Sequence, residues 1–187
     1  MPKHAFLVAT LFLSALVSCG PQLNITAAPQ SPTAREIALA EKLHHAVNAH
    51  RGERGARQLA LNATMNRYAT LHSQFLRANP GKFSINGPNI SHDGFALRHF
   101  ALTKSQVVGN LGENVARADP RNSDMATHLV NLWAGSARHE QNMLQDWTLS
   151  GIGIAMTPDD AVYATLLLGS DPSSSHRDLA DNIRVHY

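Results

Sequence analysis

The chain has 187 residues, 43% hydrophobic and 16% charged, with a formal net charge of +2. Those proportions suit one globular domain with a sizeable core and exclude a disordered chain. No run of Lys or Arg offers the basic stripe that nucleic-acid binding needs, and the single cysteine, Cys19, excludes an internal disulfide framework or a Cys-rich zinc site.

Residues 1–18 are expected to be a removable leader. Lys3 supplies a positive start, and Ala5 to Val17 is apolar apart from Thr10 and Ser14. Roughly 13 residues are too few for a spanning helix, which needs about 20, but they suit a signal-peptide core. The stretch ends in Leu16-Val17-Ser18-Cys19-Gly20, which resembles the bacterial lipobox, where small residues precede a cysteine that becomes the lipidated first residue. Acylated Cys19 would tether the protein to a membrane. The expected address is the bacterial cell envelope, the outer membrane if the cell has two, since no Asp follows Cys19. Residues 19–33 are uncharged and rich in Pro, Ala, Gln and Thr, and are expected to form a flexible linker. Three Asn-x-Ser/Thr patterns, at Asn24, Asn62 and Asn89, are read as coincidence beside a bacterial lipobox.

The folded domain is expected over 34–169, with a loose tail over 170–187. Thr33 and Glu36 have the spacing of a capping box. Ile37, Ala40, Leu43 and Val47 recur behind them at helical spacing, so a helix should run to about His50 and stop near Gly52 or Gly55. A second helix should follow Asn62, with Met65, Ala69, Leu71 or His72, Phe75 and Leu76 inward, and end before Pro80. Residues 80–91 carry two prolines and two glycines and read as a loop, followed by a short helix over about 94–102. Val107 to Arg117 carries β-branched residues together with Gly109 and Gly112 and reads as a kinked strand or a strand-like loop. Asn122, Ser123 and Asp124 open a third helix with Met125, Leu129, Leu132 and Trp133 as its apolar stripe. Trp147–Met156 and Ala161–Leu168 form a hairpin about Thr157-Pro158-Asp159-Asp160. This order of elements indicates an α+β layered domain.

Three segments could carry chemistry: Ser91-His92, Gly112-Glu113-Asn114, and Trp133-x-x-Ser136-x-x-His139-x-x-Asn142. On one helix, Ser136, His139 and Asn142 at i, i+3 and i+6 would share a face that begins at Trp133. Such a row suits either the edge of a cleft or a helix end whose polar residues satisfy free carbonyls.

In order and spacing these segments resemble the bacterial branch of the CAP superfamily, the cysteine-rich secretory, antigen 5 and pathogenesis-related proteins with an SCP domain. Asn48 and Arg51 on the first helix match the opening Asn-x-x-Arg, and Gly151-Ile152-Gly153 matches a glycine pair on a strand. Tyr163-Ala-Thr165 is similar to the last strand. The resemblance covers about 40–169 and implies a three-layer α-β-α sandwich with a mixed, mainly antiparallel sheet. It also implies a cleft lined by two histidines and two acids. His92, Glu113 and His139 match three of these, while Ser136 stands where the second acid would be. Asn114 and Asn142 complete the expected cleft.

Two neutral imidazoles, His92 and His139, are tentative ligands for zinc or another divalent ion, held weakly because two protein ligands are fewer than a zinc site uses. The alternative is that His92, Glu113 and His139 form a hydrogen-bonded network. The expected function is a non-enzymatic binding module for a small molecule, lipid or peptide at the envelope. The competing reading is a protease or esterase using Ser136, His139 and Glu113. Against it, Ala134-Gly-Ser136-Ala-Arg138 is not a nucleophile elbow, and Met143 stands where an HExxH site needs its second His.

Overall fold

The computed structural model describes residues 29–79, 91–119 and 124–172. The leader, Cys19, Asn24, Asn89 and most of the 80–91 loop lie outside them, as do Asn122, Ser123 and the tail from residue 173.

Helix α1 (Ala34–Glu53) begins with the expected capping box: the Thr33 side chain accepts from Glu36 N–H, and the Glu36 carboxylate accepts from Thr33 N–H at 2.8 Å. It ends before Gly55, whose φ of +73° only glycine adopts easily. Its buried row is Leu39, Leu43 and Val47, continued by His50 and Arg51. Ile37, expected inward, is 47% exposed, because the contact with the sheet selects the row one residue-pair further round the helix. The linker expected over 19–33 is described from Pro29, where Gln30 is already fastened: its N–H donates to Gln74 at 3.1 Å, and Arg77 donates to its side chain at 2.9 Å.

A two-residue strand, β1 (Ala60–Leu61), which the sequence reading missed, precedes α2 (Ala63–Ala78). The Asn62 side chain caps α2 by accepting from Met65 N–H at 3.0 Å, so this Asn-x-Thr is a helix start. There follow α3 (Phe95–Lys104), β2 (Asn110–Ala118), α4 (Met125–Ala134), α5 (Ala137–Leu144), β3 (Leu149–Met156) and β4 (Val162–Ser170). The sheet order is β1-β3-β4-β2, with β1 parallel to β3 and the other pairs antiparallel. The last strand includes Ser170, so the tail begins later than expected. One long row of polar residues from Trp133 to Asn142 is not formed. The helix breaks at Gly135, and Ser136 is extended (φ −111°, ψ 115°) at the start of α5. Leu132, expected in the stripe, is 41% exposed.

The sheet lies between two helical layers. On one face α1, α4 and Met143 of α5 enclose Ile152, Ile154, Leu166 and Leu168. On the other, α2 sits on β3 so closely that a Cβ at Gly153 would come 2.1 Å from the backbone of Ala69. The glycine pair on β3 is therefore a helix–sheet contact. Leu102 of α3 joins Met65, Ala69 and Leu167 in this second core. The fold is an α+β sandwich with a mixed, mainly antiparallel sheet.

Candidate functional site

Strand β2 lies at one edge of the sheet, and alternation sends its successive side chains to opposite layers. Glu113 is in register with Leu167, which packs toward α2, whereas Asn114 is in register with Leu166, which packs toward α1 and α4. The Gly-Glu-Asn motif therefore serves two networks, one on each face.

On the α2 face, the Glu113 side chain is 1% exposed, and Arg98 of α3 engages it with two prongs. Arg98 Nε donates to Oε2 and Nη2 to Oε1, both at 2.8 Å. A bidentate guanidinium supplies the fixed countercharge that a buried carboxylate requires. His92 adds a third bond through Nδ1 to Oε1 at 3.0 Å, and since a carboxylate accepts, Nδ1 carries the proton. His72 of α2 approaches to 3.8 Å but gives its Nε2–H to the Ser91 carbonyl at 2.6 Å. Burial pushes the His72 pKa down, and Arg98 and His92 add to this against the opposing pull of Glu113 and Ser91. His72 is a neutral, structural imidazole.

On the other face, Asn114 clamps α5. Its Nδ2 donates to the His139 carbonyl at 3.0 Å, and its Oδ1 accepts from Asn142 Nδ2 at 2.8 Å. Trp147 Nε1 donates to the Asn142 carbonyl at 2.7 Å. Gly112 leaves room for this stack: a Cβ there would lie 2.6 Å from Asn142 Oδ1 and 2.9 Å from the Trp147 ring. His139 is joined to this face through its main chain. Its imidazole has a pKa lowered by burial first, then by the charges of His92 and Arg138. Ser136 makes no side-chain capping bond, and among the described residues no hydrogen bond joins it to His139.

The Asn-x-x-Arg pair acts elsewhere, in scaffolding. Asn48 exchanges two hydrogen bonds with the main chain of Leu59, at 3.0 and 2.8 Å. Arg51 is fully buried and donates to the carbonyls of Arg57, Met143, Gln145 and Trp147. Sequence reasoning did not find Arg98, and it placed His72 only as a core position. Neither has a local signal: Arg98 reads as an ordinary charged helix residue, and its partner is on another element.

Chemically, the cluster is a neutralised lock. Arg98 supplies the countercharge of Glu113 and takes a bond at each of its oxygens. Among the described residues, no group of three or more His, Cys, Asp or Glu is arranged to hold a metal ion. His92 is the open member, its side chain 44% exposed. With the proton on Nδ1, its Nε2 is free to accept from a ligand's hydroxyl or amide N–H.

Similarity to known proteins agrees with the fold. No curated protein matches the chain. Solved structures with the same fold include an extracellular protein containing an SCP domain from Bacillus anthracis, 19% identical with a TM-score of 0.54, covering 77% of this chain and 45% of that one. An outer surface protein from Borrelia burgdorferi is 16% identical with a TM-score of 0.54, covering 75% of this chain and 96% of that one. A cysteine-rich secretory protein from Staphylococcus aureus is 22% identical with a TM-score of 0.50, covering 75% and 41%. The chain thus spans less than half the length of the Bacillus and Staphylococcus proteins. The family model described as CAP, cysteine-rich secretory protein family, matches residues 44–168.

Proposed function

Since this chain belongs to the cysteine-rich secretory protein (CAP) family, we propose that it is an exported domain that works by binding, held at the bacterial cell envelope through lipidated Cys19. The observation that carries the binding reading is the state of Glu113. Its carboxylate is buried, shared between the two prongs of Arg98, and bonded to His92. A hydrolase using Ser136, His139 and Glu113 would need an acid free to orient a base and a serine within reach of that base. Glu113 and Asn114 serve opposite faces, and among the described residues no hydrogen bond joins Ser136 to His139 or Glu113. The reading carries no resident metal, because a divalent ion at His92 would face the Arg98 cation across the same carboxylate. What remains for a ligand is the rim at His92, where a small polar molecule, lipid headgroup or peptide can donate to Nε2.

Export is supported by the apolar leader and by the extracellular and surface character of the structural relatives. Replacing Cys19 with serine should move the protein from the membrane fraction to the soluble envelope fraction, and unchanged membrane retention would overturn the anchor. For the site, peptide and ester hydrolysis by the purified protein should be no different in Ser136→Ala or His139→Ala. A panel of envelope lipids, sugars and peptides should contain a ligand that raises the melting temperature of wild type but not of His92→Ala. Turnover abolished by either of the first two substitutions would replace this reading with the hydrolytic one.

A further inference from the structure

The opposite edge of the sheet carries a second site. Strand β1 pairs with β3 only at Leu149 and Ser150, so among the described residues no strand lies on this side of β3 from Ile152 to Met156. Alternation along a strand turns the main-chain groups of residues 152, 154 and 156 toward this edge. Two side chains close its ends: Asn66 Oδ1 accepts from Ile152 N–H and Glu36 Oε1 accepts from Met156 N–H, both at 2.8 Å. Between them, the Ile154 N–H donates to, and the C=O groups of Ile154 and Ile152 accept from, no described residue outside the sheet. Ile152 and Ile154 are 3% and 2% exposed and line the cavity above this edge, and unpaired main-chain groups in such a place are rare.

Over this floor lies a cavity of about 240 Å³ between α1 and α2. Ile37 and Leu61 line it and are 47% and 44% exposed, two of the few large apolar side chains left in water. Glu41 stands at the rim, exposed and without an ion pair to any described residue. The floor asks for alternating donors and acceptors, the walls for an apolar side chain, and the rim for a cation. A lipid tail meets only the second requirement. An extended peptide meets all three, by adding its main chain to a sheet edge.

We propose that the groove between α1 and α2 takes up a short extended peptide of another protein. The peptide continues the line of β1 along β3 at Ile154, seats an apolar side chain between Ile37 and Leu61, and places a lysine or arginine beside Glu41. This site is independent of the His92 cluster, which lies at the far edge of the sheet.

The test uses the full-length protein and an end-blocked hexapeptide of alternating valine and lysine, followed by calorimetry and amide exchange. Saturable binding is expected, with slowed exchange at Ile154 N–H. Methylating the peptide amides on one edge, replacing its lysines with glutamate, or introducing Leu61→Lys should each weaken binding about tenfold or more. His92→Ala should leave the affinity unchanged. Equal binding of the methylated peptide, insensitivity to Leu61→Lys, or no saturation at millimolar peptide would overturn the proposal. So would tighter binding in a Leu23→Asp, Ile25→Asp double variant, which would make the chain's own N-terminal stretch the occupant.

Discussion

Two buried or nearly buried arginines divide the labour of this domain. Arg51 on α1 forms no ion pair with a carboxylate of the described residues; its guanidinium gathers four main-chain carbonyls, three of them from the end of α5 and the chain leading to β3. Arg98 on α3 puts both prongs on one carboxylate, that of Glu113. Burial lowers the pKa of Arg51, with Asp146 pulling the other way, but a guanidinium keeps its charge regardless. A cation surrounded by carbonyls fixes the path of a chain, whereas a cation on a carboxylate cancels a charge. The first shapes the scaffold, and the second sets the chemistry of the candidate cleft.

Substitution separates the two roles. Arg51→Met should have the larger effect, about 4 kcal/mol of lost stability, because several buried carbonyls lose their donors together. Urea denaturation would measure it, and a loss below about 1 kcal/mol would mean that water replaces the guanidinium without difficulty. Arg98→Met should cost about 3 kcal/mol by leaving the Glu113 charge buried without its partner. Here the second half of the pair can be removed too. Adding Glu113→Gln to Arg98→Met should recover at least half of the loss, whereas no second substitution should rescue Arg51→Met. Strictly additive losses at 98 and 113 would show that the ion pair is not what holds this edge.

The sequence revealed these two arginines unequally. Three of the four carbonyls that Arg51 binds lie more than 90 residues away, so it has no local signal either, and only the Asn-x-x-Arg motif of the resemblance brought it forward. Arg98 acts only through a partner 15 residues away on another element, and nothing in the local pattern separates it from a solvated charge. The same distinction runs through the fold. The capping box at Thr33 and the hairpin at residues 157–160 are local, so they were legible. The start of the α1 stripe was not: Leu43 and Val47 are buried and Ala40 packs against the core as expected, but Leu39 rather than Ile37 opens the row, which only the contact with the sheet decides. Strand β1 has two residues, too few for any period. The break at Gly135 did have a signal, since a glycine followed by a serine marks one helix ending and another beginning. The regular Trp, Ser, His and Asn spacing masked it. That spacing placed Asn142 and His139 correctly on α5 while misjudging the face that Trp133 shares.

Histidines extend the comparison from fixed charges to titratable ones. Burial is the largest cause of lowered pKa at His44, His72 and His139. Each therefore takes up a proton more readily in the unfolded chain, whose histidines titrate near about 6.5. Where the unfolded state binds more protons, stability falls as pH falls. The contribution should be fully present above that ordinary value and be lost as pH drops through it toward the folded-state values. The urea midpoint should be lower at pH 5.5 than at pH 7.5, and His72→Gln should flatten part of the slope. Equal midpoints for the wild type would show that these imidazoles are as free to ionise as those of the unfolded chain.

The smallest effect probes the cleft itself. The His92 side chain is 44% exposed and adds one 3.0 Å bond to a carboxylate that Arg98 already holds. His92→Ala should cost under about 1 kcal/mol, the range of a partly exposed polar contact. Its informative readout lies on the other side of the strand. The charge of His92 is one of the causes that lower the His139 pKa, so removing it should raise the His139 midpoint in an NMR titration, while the midpoint of His44 stays fixed. A His139 midpoint that does not move would place the two rings out of each other's reach. The polar rim would then be two separate features, one on each face of β2, and a ligand bridging both histidines would have no surface to occupy.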